Sequence, residues 1–367
     1  MATHADVFRT LEEWAPSWLA YDWDNVGLQV GNSDRETKKV LITLDVLEPV
    51  VDEAIETGAD LIVAHHPLLF QGLKQIDTAT PKGRTVQKLL QHDITVYASH
   101  TNLDVAKGGM NDILAERLGM QNTADMLPLH EEKYVKIAVF VPTSHEEAVK
   151  EALGAAGAGN LGAYSHCSFG VTGKGTFRPL EGSSPFIGET GKQETTEEVR
   201  IETIAKAQDA KRITEAILSA HPYEEPAYDI YALENNGTTL GLGKVGNLEN
   251  EMKLHDFCEF VKQKLDMPAI RVTGDLEKPI RRCAVLGGSG EKYIKKAHQL
   301  GADVYVTGDV TFHPAQEAME LGLAVIDAGH YIEKAVKQSV KQYLEEKFGS
   351  HIELLVSQTN TDPFRFV

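Results

Sequence analysis

The sequence has few cysteines and no long apolar run, and each shortage excludes a class of protein. Its three cysteines, Cys167, Cys258 and Cys283, are far apart and form no Cys-x-x-Cys pair, so the sequence predicts neither a disulfide framework nor a thiolate zinc site. No apolar run approaches the ~20 residues of a membrane span, and the first residues lack a signal-peptide pattern. We therefore expect a cytoplasmic protein without a membrane partner.

Basic residues are also in short supply. The chain has 36 Lys and Arg against 54 Asp and Glu, which gives a formal net charge of −18. Affinity for nucleic acids comes largely from Lys and Arg on phosphates, so this balance argues against DNA or RNA as a partner. What the chain does have is a globular composition, because 42% of its 367 residues are hydrophobic and 25% are charged. This length predicts two or three domains.

Strand and helix patterns alternate in the first part of the chain. The segments "KKVLITLD", "ADLIVAHH" and "ITVYASHTNLD" have strand patterns, and the segments between them, "LEPVVDEAIETG" and "GRTVQKLLQHD", have helical ones. The same alternation returns later, with "RRCAVLGGSG", "ADVYVTGD" and "LAVIDAGH" as strands. Alternation of this kind is typical of parallel sheets covered by helices, so we predict two α/β halves.

The two halves are copies of one another. Val40 aligns with Cys283 and Asp60 with Asp303, both at an offset of 243 residues. The openings "WDNVGLQVGN" and "LGLGKVGNLE" also correspond loosely. We predict a first half over residues 1–126 and a second half over 236–367.

The segment between the halves, residues 127–235, has another texture. Its predicted elements follow the order βαββαβ, with a Gly/Ser/Thr/Glu-rich loop at 181–197. That order is typical of a ferredoxin-like α+β domain. Exposed loops tolerate such insertions, so we predict a domain inserted between the halves.

Two adjacent histidines, His65 and His66, follow a predicted buried strand and precede Pro67. Ligands of open α/β sheets gather beyond the carboxyl ends of the strands. Pro67 ends the strand, and a chain that leaves the strand can turn both imidazoles to one mouth. The alternative is that one histidine caps the strand and the other is simply exposed.

Two further strand ends carry possible metal ligands. "ASHTNLD" places His100 and Asp104 at the same edge, and "IDAGHYIEKA" places His330 and Glu333 on one side of a helix. Nitrogen and oxygen ligands without thiolates suit Zn, Fe, Mn, Ni or Co, and a bridging carboxylate suits two ions. Polar residues also collect at strand ends by chance, which is the competing explanation.

The segments "WDNVGLQVG", "AHHPLLF", "SHTNLD", "TGDVTFHPAQEA" and "DAGHYIE", in this order, resemble the NIF-three-like family, also labelled GTP cyclohydrolase I type 2. The resemblance covers both halves and implies two divalent metal ions per subunit, with zinc as the default. It also implies assembly as a toroidal homohexamer. The implied ligands are His65, His66, Asp104, His330 and Glu333. The segment "HPYEEPAYDIYAL" in the insert resembles the trimeric CutA-like and PII-like domains.

Other residues of these motifs have predicted supporting roles. We predict that His313 is a catalytic residue that donates to the substrate or to a bound water; the alternative is that it caps its helix. Asp309 or His100 is predicted to orient a ligand imidazole, since metal-bound histidines usually pass their other N–H to an acceptor.

Two glycine-rich stretches have weaker meanings. "GLGKVG" at 241–246 fits a dinucleotide fingerprint only in letters, and we interpret it as a loop because no strand leads into it. Gly287, Gly288 and Gly290 in "LGGSG" are interpreted as a tight turn, or else as a phosphate site at a helix N-terminus.

We therefore hold two functional hypotheses. The resemblance implies a metal-dependent hydrolase of GTP or a related small molecule, by opening of the guanine ring. The alternative is a metal-binding regulatory or scaffold protein whose insert senses a ligand and which catalyses nothing.

Overall fold

The computed structural model describes residues 2–235 and 237–367 of the chain. Contacts between Cα atoms divide the chain into two compact units. The first unit contains Met1–His130 and Leu240–Val367, and the second contains Glu131–Thr239.

The described residues form fifteen β-strands: β1 (Gly27–Val30), β2 (Lys39–Thr43), β3 (Leu61–Ala64), β4 (Thr95–Ala98), β5 (Met120–Glu131), β6 (Tyr134–Pro142), β7 (Ser168–Phe177), β8 (Glu194–Lys206), β9 (Tyr228–Leu233), β10 (Thr239–Lys253), β11 (Arg271–Thr273), β12 (Pro279–Ser289), β13 (Val304–Gly308), β14 (Ala324–Asp327) and β15 (Glu353–Val356).

The same residues form eleven α-helices: α1 (His4–Trp14), α2 (Glu48–Thr57), α3 (Pro81–Gln91), α4 (Thr101–Val105), α5 (Met110–Arg117), α6 (Glu146–Ala155), α7 (Ala210–Ala220), α8 (Leu254–Leu265), α9 (Ile294–Gln299), α10 (Phe312–Glu320) and α11 (Val336–Phe348). No helix among the residues described has the length and apolar character needed to span a membrane.

The first unit contains two sheets of matching design. One has the order β1-β4-β3-β2-β15 and the other the order β11-β14-β13-β12-β10-β5. Strands β2, β3 and β4 pair in parallel, as do β12, β13 and β14. All residues of β3, β4, β13 and β14 are buried, as is typical of parallel strands covered on both faces. The predicted pair of repeated α/β halves is confirmed.

The repeat extends to individual hydrogen bonds. The Asp60 carboxylate accepts from the backbone N–H groups of Lys38 and Lys39, and the Asp303 carboxylate accepts from those of Arg281 and Arg282. Each of these aspartates follows a helix that ends at a glycine of positive φ, 70° for Gly58 and 75° for Gly301. The offset of 243 residues therefore relates equivalent positions of the two halves.

The loose match between the two openings is wrong. β1 lies antiparallel to β4, and its counterpart beside β14 is β11. Residues 240–249 belong instead to β10, which pairs with β12. The segment "GLGKVG" is thus a strand and not a loop. Its glycines permit a close approach of β5, because a Cβ on Gly241 would lie 2.3 Å from the Leu127 carbonyl oxygen.

Each half also gives a strand to the other sheet. β15, near the end of the chain, pairs in parallel with β2, and β5 lies at the edge of the second sheet beside β10. One hydrophobic cluster joins residues of both halves, among them the fully buried Leu114, Phe257 and Tyr305. This shared core places the carboxyl ends of both sets of parallel strands around one site.

The second unit is an antiparallel sheet of order β7-β8-β6-β9 with helices α6 and α7. The strand and helix order is βαββαβ, so the predicted ferredoxin-like topology of the insert is confirmed. Alternate residues of β8, including Val199 and Ile201, join a core with Val149 of α6 and Ile213 of α7. The intervening residues of β8, such as Glu198, lie on the other face of the sheet.

Candidate metal centre

The paired histidines leave the sheet together at the carboxyl end of β3. The backbone N–H of His65 donates to the Thr43 carbonyl (3.2 Å) and that of His66 to the Leu44 carbonyl (2.9 Å). Pro67 then ends the pairing, and the two imidazole centroids lie 5.2 Å apart. Both rings therefore face one cluster, which a regular strand would not allow.

Two more candidate ligands follow β4. His100 is the residue before α4, and Asp104 lies within that helix. Asn111 of α5 fixes this region, because its side-chain amide donates to the Asp104 carbonyl (2.9 Å) and accepts from the Gly287 N–H (3.0 Å) of the second half.

The second half contributes His330 and Glu333, which follow β14. Both lie in a 3-10 helix, His330–Ala335, that begins after Gly329, whose φ is 77°. Residues three apart eclipse one another in such a turn. His330 Nε2 accordingly lies 3.2 Å from the Glu333 carboxylate, whose side chain is only 4% exposed.

These side chains converge, and they form three groups in which all ligand atoms lie within 4.8 Å of one another. The groups are His65 with His66 and His100, His66 with His330 and Glu333, and His65 with Asp104 and Glu333. The structure brings together all five residues predicted as metal ligands, and it adds His100. Such groups of imidazoles and carboxylates can bind a metal ion.

Every imidazole of the cluster is held from behind by an acceptor on its Nδ1. The pairs are His65 with the Ser99 carbonyl (2.8 Å), His66 with Asp45 (2.7 Å), His100 with Asp24 (2.9 Å) and His330 with Asp309 (2.7 Å). An acceptor on one ring nitrogen directs the other nitrogen, Nε2, towards the cluster and fixes the tautomer.

Sequence reasoning missed three of these acceptors: the Ser99 carbonyl and the carboxylates of Asp45 and Asp24. Asp45 follows β2 at the same sheet edge as the histidines, in "KKVLITLD", and this position was a usable signal. Asp24 lies in "WDNVGLQVG", far from any predicted strand end, and no spacing rule indicated it. Asp309 holds His330, whereas His100 joins the ligand atoms themselves.

Two buried polar atoms in the cluster lack partners. His65 Nε2 and Asp104 Oδ1 have no hydrogen bond to any described residue, although they lie only 3.5 Å apart. A buried polar atom without a partner is costly, and a native structure keeps one only for a reason. A cation between these donors would satisfy both atoms, so the residues fit a bound metal.

The ionisation of this pair supports the same fit. Burial lowers the pKa of His65 to about 3, so its imidazole is neutral, as a metal ligand must be. Burial raises the pKa of Asp104 well above its usual value, and the neighbouring Glu333 carboxylate adds to the effect. Without a cation, the site therefore disfavours the charged form of the Asp104 carboxyl group.

Glu333 behaves in the opposite way to Asp104, because its surroundings favour the charged form of its carboxylate. Burial alone would raise its pKa, but hydrogen bonds from His330 and His66 outweigh burial and hold the pKa well below the usual range. The pKa of His66 rises to about 10 in spite of burial, because Asp45 and Glu333 both bond its ring. The pKa of His330 rises to about 9, chiefly through Glu333.

Two cavities reach the cluster, and His66 and His330 line both. One, of about 880 Å³, is closed partly by Thr361 to Phe366 near the C-terminus. The other, of about 610 Å³, also contains His100, Asp104 and Glu333 in its wall. A cavity of this size accommodates a small molecule.

The smaller cavity has an aromatic wall. Trp23 is 58% exposed and Phe70 48%, and their ring centroids lie 5.7 Å apart. The Trp23 ring also stacks on Tyr21 and lies 6.3 Å from the His100 ring. These exposed rings can stack on a planar group beside the cluster.

The predicted tight turn at "LGGSG" is wrong, because the strand β12 continues to Ser289; the alternative of a phosphate site stays a prediction. A Cβ on Gly288, whose φ is 63°, would lie 2.6 Å from the Glu333 carboxylate. The segment is followed by a 3-10 turn and by α9, which has only six residues. The glycines therefore make room for Glu333.

His313 lies apart from the cluster. It is exposed on the first turn of α10, where its Nδ1 lies 3.2 Å from the Gln316 side chain. It belongs to none of the three ligand groups among the described residues and lines neither cavity. Its catalytic role stays a prediction.

Comparison with known proteins agrees with this architecture. A family model described as Duf34/NIF3 (NGG1p interacting factor 3) matches residues 2–363. A Bacillus subtilis protein named GTP cyclohydrolase 1 type 2 homolog is 50% identical over 366 residues, which are 98% of this chain and 98% of the relative.

Solved structures are similar over the whole length. A Bacillus cereus protein related to NIF3 is 50% identical, with a TM-score of 0.90 over 100% of this chain and 99% of the other. A Staphylococcus aureus protein is 35% identical, with a TM-score of 0.82 over the same shares.

Proposed function

Because this chain belongs to the Duf34/NIF3 family, as its motifs predicted, we propose that it binds two divalent metal ions and hydrolyses a nucleotide or related small molecule. The observation that carries the proposal is the pair of buried, unpartnered ligand atoms, His65 Nε2 and Asp104 Oδ1, inside a cluster of imidazoles and carboxylates.

The composition of the groups supports two ions. His66, His330 and Glu333 form one group, and His65, Asp104 and Glu333 form another. They share only Glu333, as expected of a bridging carboxylate. Two bound ions would supply Lewis-acid activation of a water and of the substrate. Zinc is the default, with iron, manganese, nickel and cobalt as alternatives.

The chain's own residues would bind and orient the substrate. The rings of Trp23 and Phe70 would stack on a planar base, and the buried walls around Asp104 would exclude bulk water. We propose His313 as a proton donor to the substrate. Because His313 does not line the cavity, this role requires that the substrate bound to the metal-loaded protein reach α10.

The test combines metal analysis with an activity assay. Purified protein is analysed for bound metals, loaded with each candidate ion, and assayed with GTP for formate release. His65→Ala should lose the ion of the group that contains Asp104 and Glu333, and with it the activity. His255→Ala, which removes an exposed histidine on α8 outside the cluster, should keep both.

Metal without turnover would exclude the GTP reaction and leave the site as a binding site. Turnover that survives His65→Ala would exclude the cluster as its source. If neither the natural protein nor His255→Ala holds any metal after loading, the proposal as a whole is contradicted.

A regulatory or scaffold role is the second candidate, and one observation favours it. The ferredoxin-like unit has a cavity of its own, of about 410 Å³, which a ligand-sensing insert would require. Loaded protein that turns over no nucleotide but binds a ligand in the insert would support this role.

We also propose the homohexamer that the family resemblance implies. All five proposed ligands and His100 come from one chain, so assembly would control access to the site and would not build it. A monomer in light scattering would contradict the hexamer and leave the metal site unaffected.

A further inference from the structure

The cavity of the ferredoxin-like unit is walled by aromatic rings, and none of its lining residues belongs to the metal cluster. It has a volume of about 410 Å³, and its rings are Phe140, Phe177, Phe186 and Tyr223. Ring centroids of Phe177 and Phe186 lie 5.8 and 6.3 Å from that of Tyr223. Aromatic faces are negative, so such a wall attracts a cation.

A buried carboxylate lies in the same wall. Glu198 of β8 is only 9% exposed, and its Oε1 accepts from the Tyr223 hydroxyl at 3.0 Å. No cationic nitrogen of the described residues lies within 4.0 Å of it, so it has no ion-pair partner there. A buried carboxylate without a counter-charge is costly, and native structures rarely keep one.

A glycine of the neighbouring strand, Gly175 of β7, lies against that carboxylate. A Cβ on Gly175 of β7 would lie 2.1 Å from Glu198 Oε2. Any other residue at position 175 would therefore force the carboxylate out of its place. The absence of a side chain at Gly175 therefore leaves room for the Glu198 carboxylate in this position.

The loop that crosses the cavity is held in position. Both carboxylate oxygens of Glu224 accept from the Ser184 N–H at 3.1 Å. Phe186 of this loop packs edge-on against His145, with centroids 5.4 Å apart. The Gly/Ser-rich segment after β7 therefore forms a wall of the cavity and not merely a link.

The charge of the wall is negative. Glu198, Glu224 and Glu225 line the cavity against a single cation, Arg178. Arg178 forms no ion pair within 4.0 Å in the portion of the chain that the structure describes. A bare metal ion would find too few oxygen ligands among these rings, and no metal-binding group of described residues lies in this unit.

We propose that this cavity binds a small organic cation, an alkylammonium or alkylguanidinium compound, between the aromatic rings and the Glu198 carboxylate. The cationic group pairs with Glu198, and the apolar part lies against Phe177 and Phe186. The site is independent of the metal centre and of the hydrolase proposed there.

The test uses a pair of probes that differ in charge and hardly in shape. Butylguanidinium and the neutral butylurea are titrated into the full-length protein by calorimetry at pH 7.5. Butylguanidinium should bind one equivalent per subunit, at least about tenfold more tightly than butylurea, as a charge-assisted contact predicts.

Two variants separate binding from folding. Glu198→Gln keeps the size and the contact with Tyr223, and it should weaken butylguanidinium at least about tenfold. It should also raise the Tm of the ligand-free protein, because it removes an unpaired buried charge. Glu197→Gln, an exposed neighbour on β8, makes the same change of charge and should alter neither quantity.

Several results would overturn the proposal. They are no saturable binding of butylguanidinium, equal affinity for butylurea, or an equal loss in Glu197→Gln. A lower Tm for Glu198→Gln with unchanged binding would show that the carboxylate serves only to hold Tyr223. A cavity covered by a second copy of the chain would exclude the probe and so give the first of these results.

Discussion

His65 Nε2 and Asp104 Oδ1 lie 3.5 Å apart in the core of the first unit, and neither forms a hydrogen bond with any residue that the structure describes. One atom belongs to an imidazole whose pKa burial lowers, and the other to a carboxyl whose pKa burial raises. Each group alone is unfavourable there, whereas a cation shared between them would stabilise both.

Removal of metal should therefore destabilise the protein. A ligand that binds only the folded state at a thousand times its Kd adds about 4 kcal/mol to the free energy of unfolding. We expect the Tm to fall when the protein is treated with EDTA and to recover when Zn, Mn, Fe, Ni or Co is added. Calorimetry with metal analysis at each step measures both quantities.

His65→Ala supplies the comparison for this experiment. The Tm of His65→Ala should respond less to EDTA and to added metal, because only the group of His66, His330 and Glu333 remains complete, whereas His255→Ala should respond as the natural protein does. An unchanged Tm in the natural protein, after metal analysis has shown complete removal, would contradict the structural role of the ions.

Substitution of a glycine tests the cluster without removing a ligand. Gly288→Ala would place a Cβ 2.6 Å from the Glu333 carboxylate. We expect metal affinity to fall about tenfold or more while the fold persists, as when a group that positions ligands is disturbed. Competition with a fluorescent chelator measures the affinity.

Gly301→Ala is the matched control. Gly301 has a φ of 75°, close to the 63° of Gly288, but a Cβ there would have no neighbour closer than 3.9 Å. Both substitutions cost about 1 kcal/mol of backbone strain. Equal losses of metal affinity in the two variants would mean that strain, and not contact with Glu333, is responsible.

The repeat shows how much of the fold could be predicted from the sequence. Local rules were sufficient for Asp60 and Asp303, because each follows a helix and a glycine of positive φ and directly precedes a buried strand. The alternation of strands and helices then predicts parallel sheets in both halves. Spacing between equivalent residues needs no knowledge of tertiary contacts.

Exchange of edge strands was beyond such rules. β5 and β15 each join the sheet of the other half, and no property of "ELLV" indicates that its partner is β2, over 300 residues away. The glycines of β10 likewise imitated a loop, since the close approach of Leu127 that requires Gly241 is a tertiary contact.

The candidate site divides in the same way. Four ligands follow predicted strands in the sequence: His65, His66, His330 and Glu333. Their position beyond the carboxyl ends of the strands was therefore a signal for a binding site. Asp24 holds His100 and donor groups of Thr101 from a segment without a predicted strand end. Its role depends on how that segment returns to the sheet, and one sequence does not contain this information.

Trp23 tests the proposed substrate cavity. Stacking of a base on an aromatic side chain contributes about 1–3 kcal/mol, so Trp23→Ala should lower kcat/KM roughly 5- to 150-fold, mainly through KM. Metal content should not change, because Trp23 provides no ligand. Steady-state kinetics with the nucleotide that the loaded protein hydrolyses measure the effect.

Trp18→Ala controls for loss of an exposed tryptophan. Trp18 is 49% exposed and packs edge-on against His130, and it does not line the cavity. Its kcat/KM should remain within about twofold of the natural value. A loss as large as that of Trp23→Ala would argue against a stacking role for Trp23.

The contacts of Glu53 on α2 predict that the segment after β15 is held to this helix in an acid-sensitive way. Its carboxylate accepts from the Ser357 hydroxyl (2.6 Å), the Thr359 hydroxyl (2.7 Å) and the Gln358 N–H (2.8 Å). Burial alone would raise the pKa of Glu53, but these hydrogen bonds outweigh burial and lower it below the usual 4.5.

A carboxyl whose pKa is lower in the folded state stabilises the protein above its unfolded pKa and loses this effect as the pH falls through the folded pKa. Glu53→Gln should therefore lower the free energy of unfolding by about 1–3 kcal/mol at pH 7, and the difference from the natural protein should shrink below the unfolded pKa of 4.5. Urea denaturation over this pH range measures the difference in the free energy of unfolding.

Glu56→Gln, an exposed change on the same helix, should show no such difference. A constant gap between Glu53→Gln and the natural protein down to acid pH would mean that the shape of the side chain, and not its charge, holds residues 357–359.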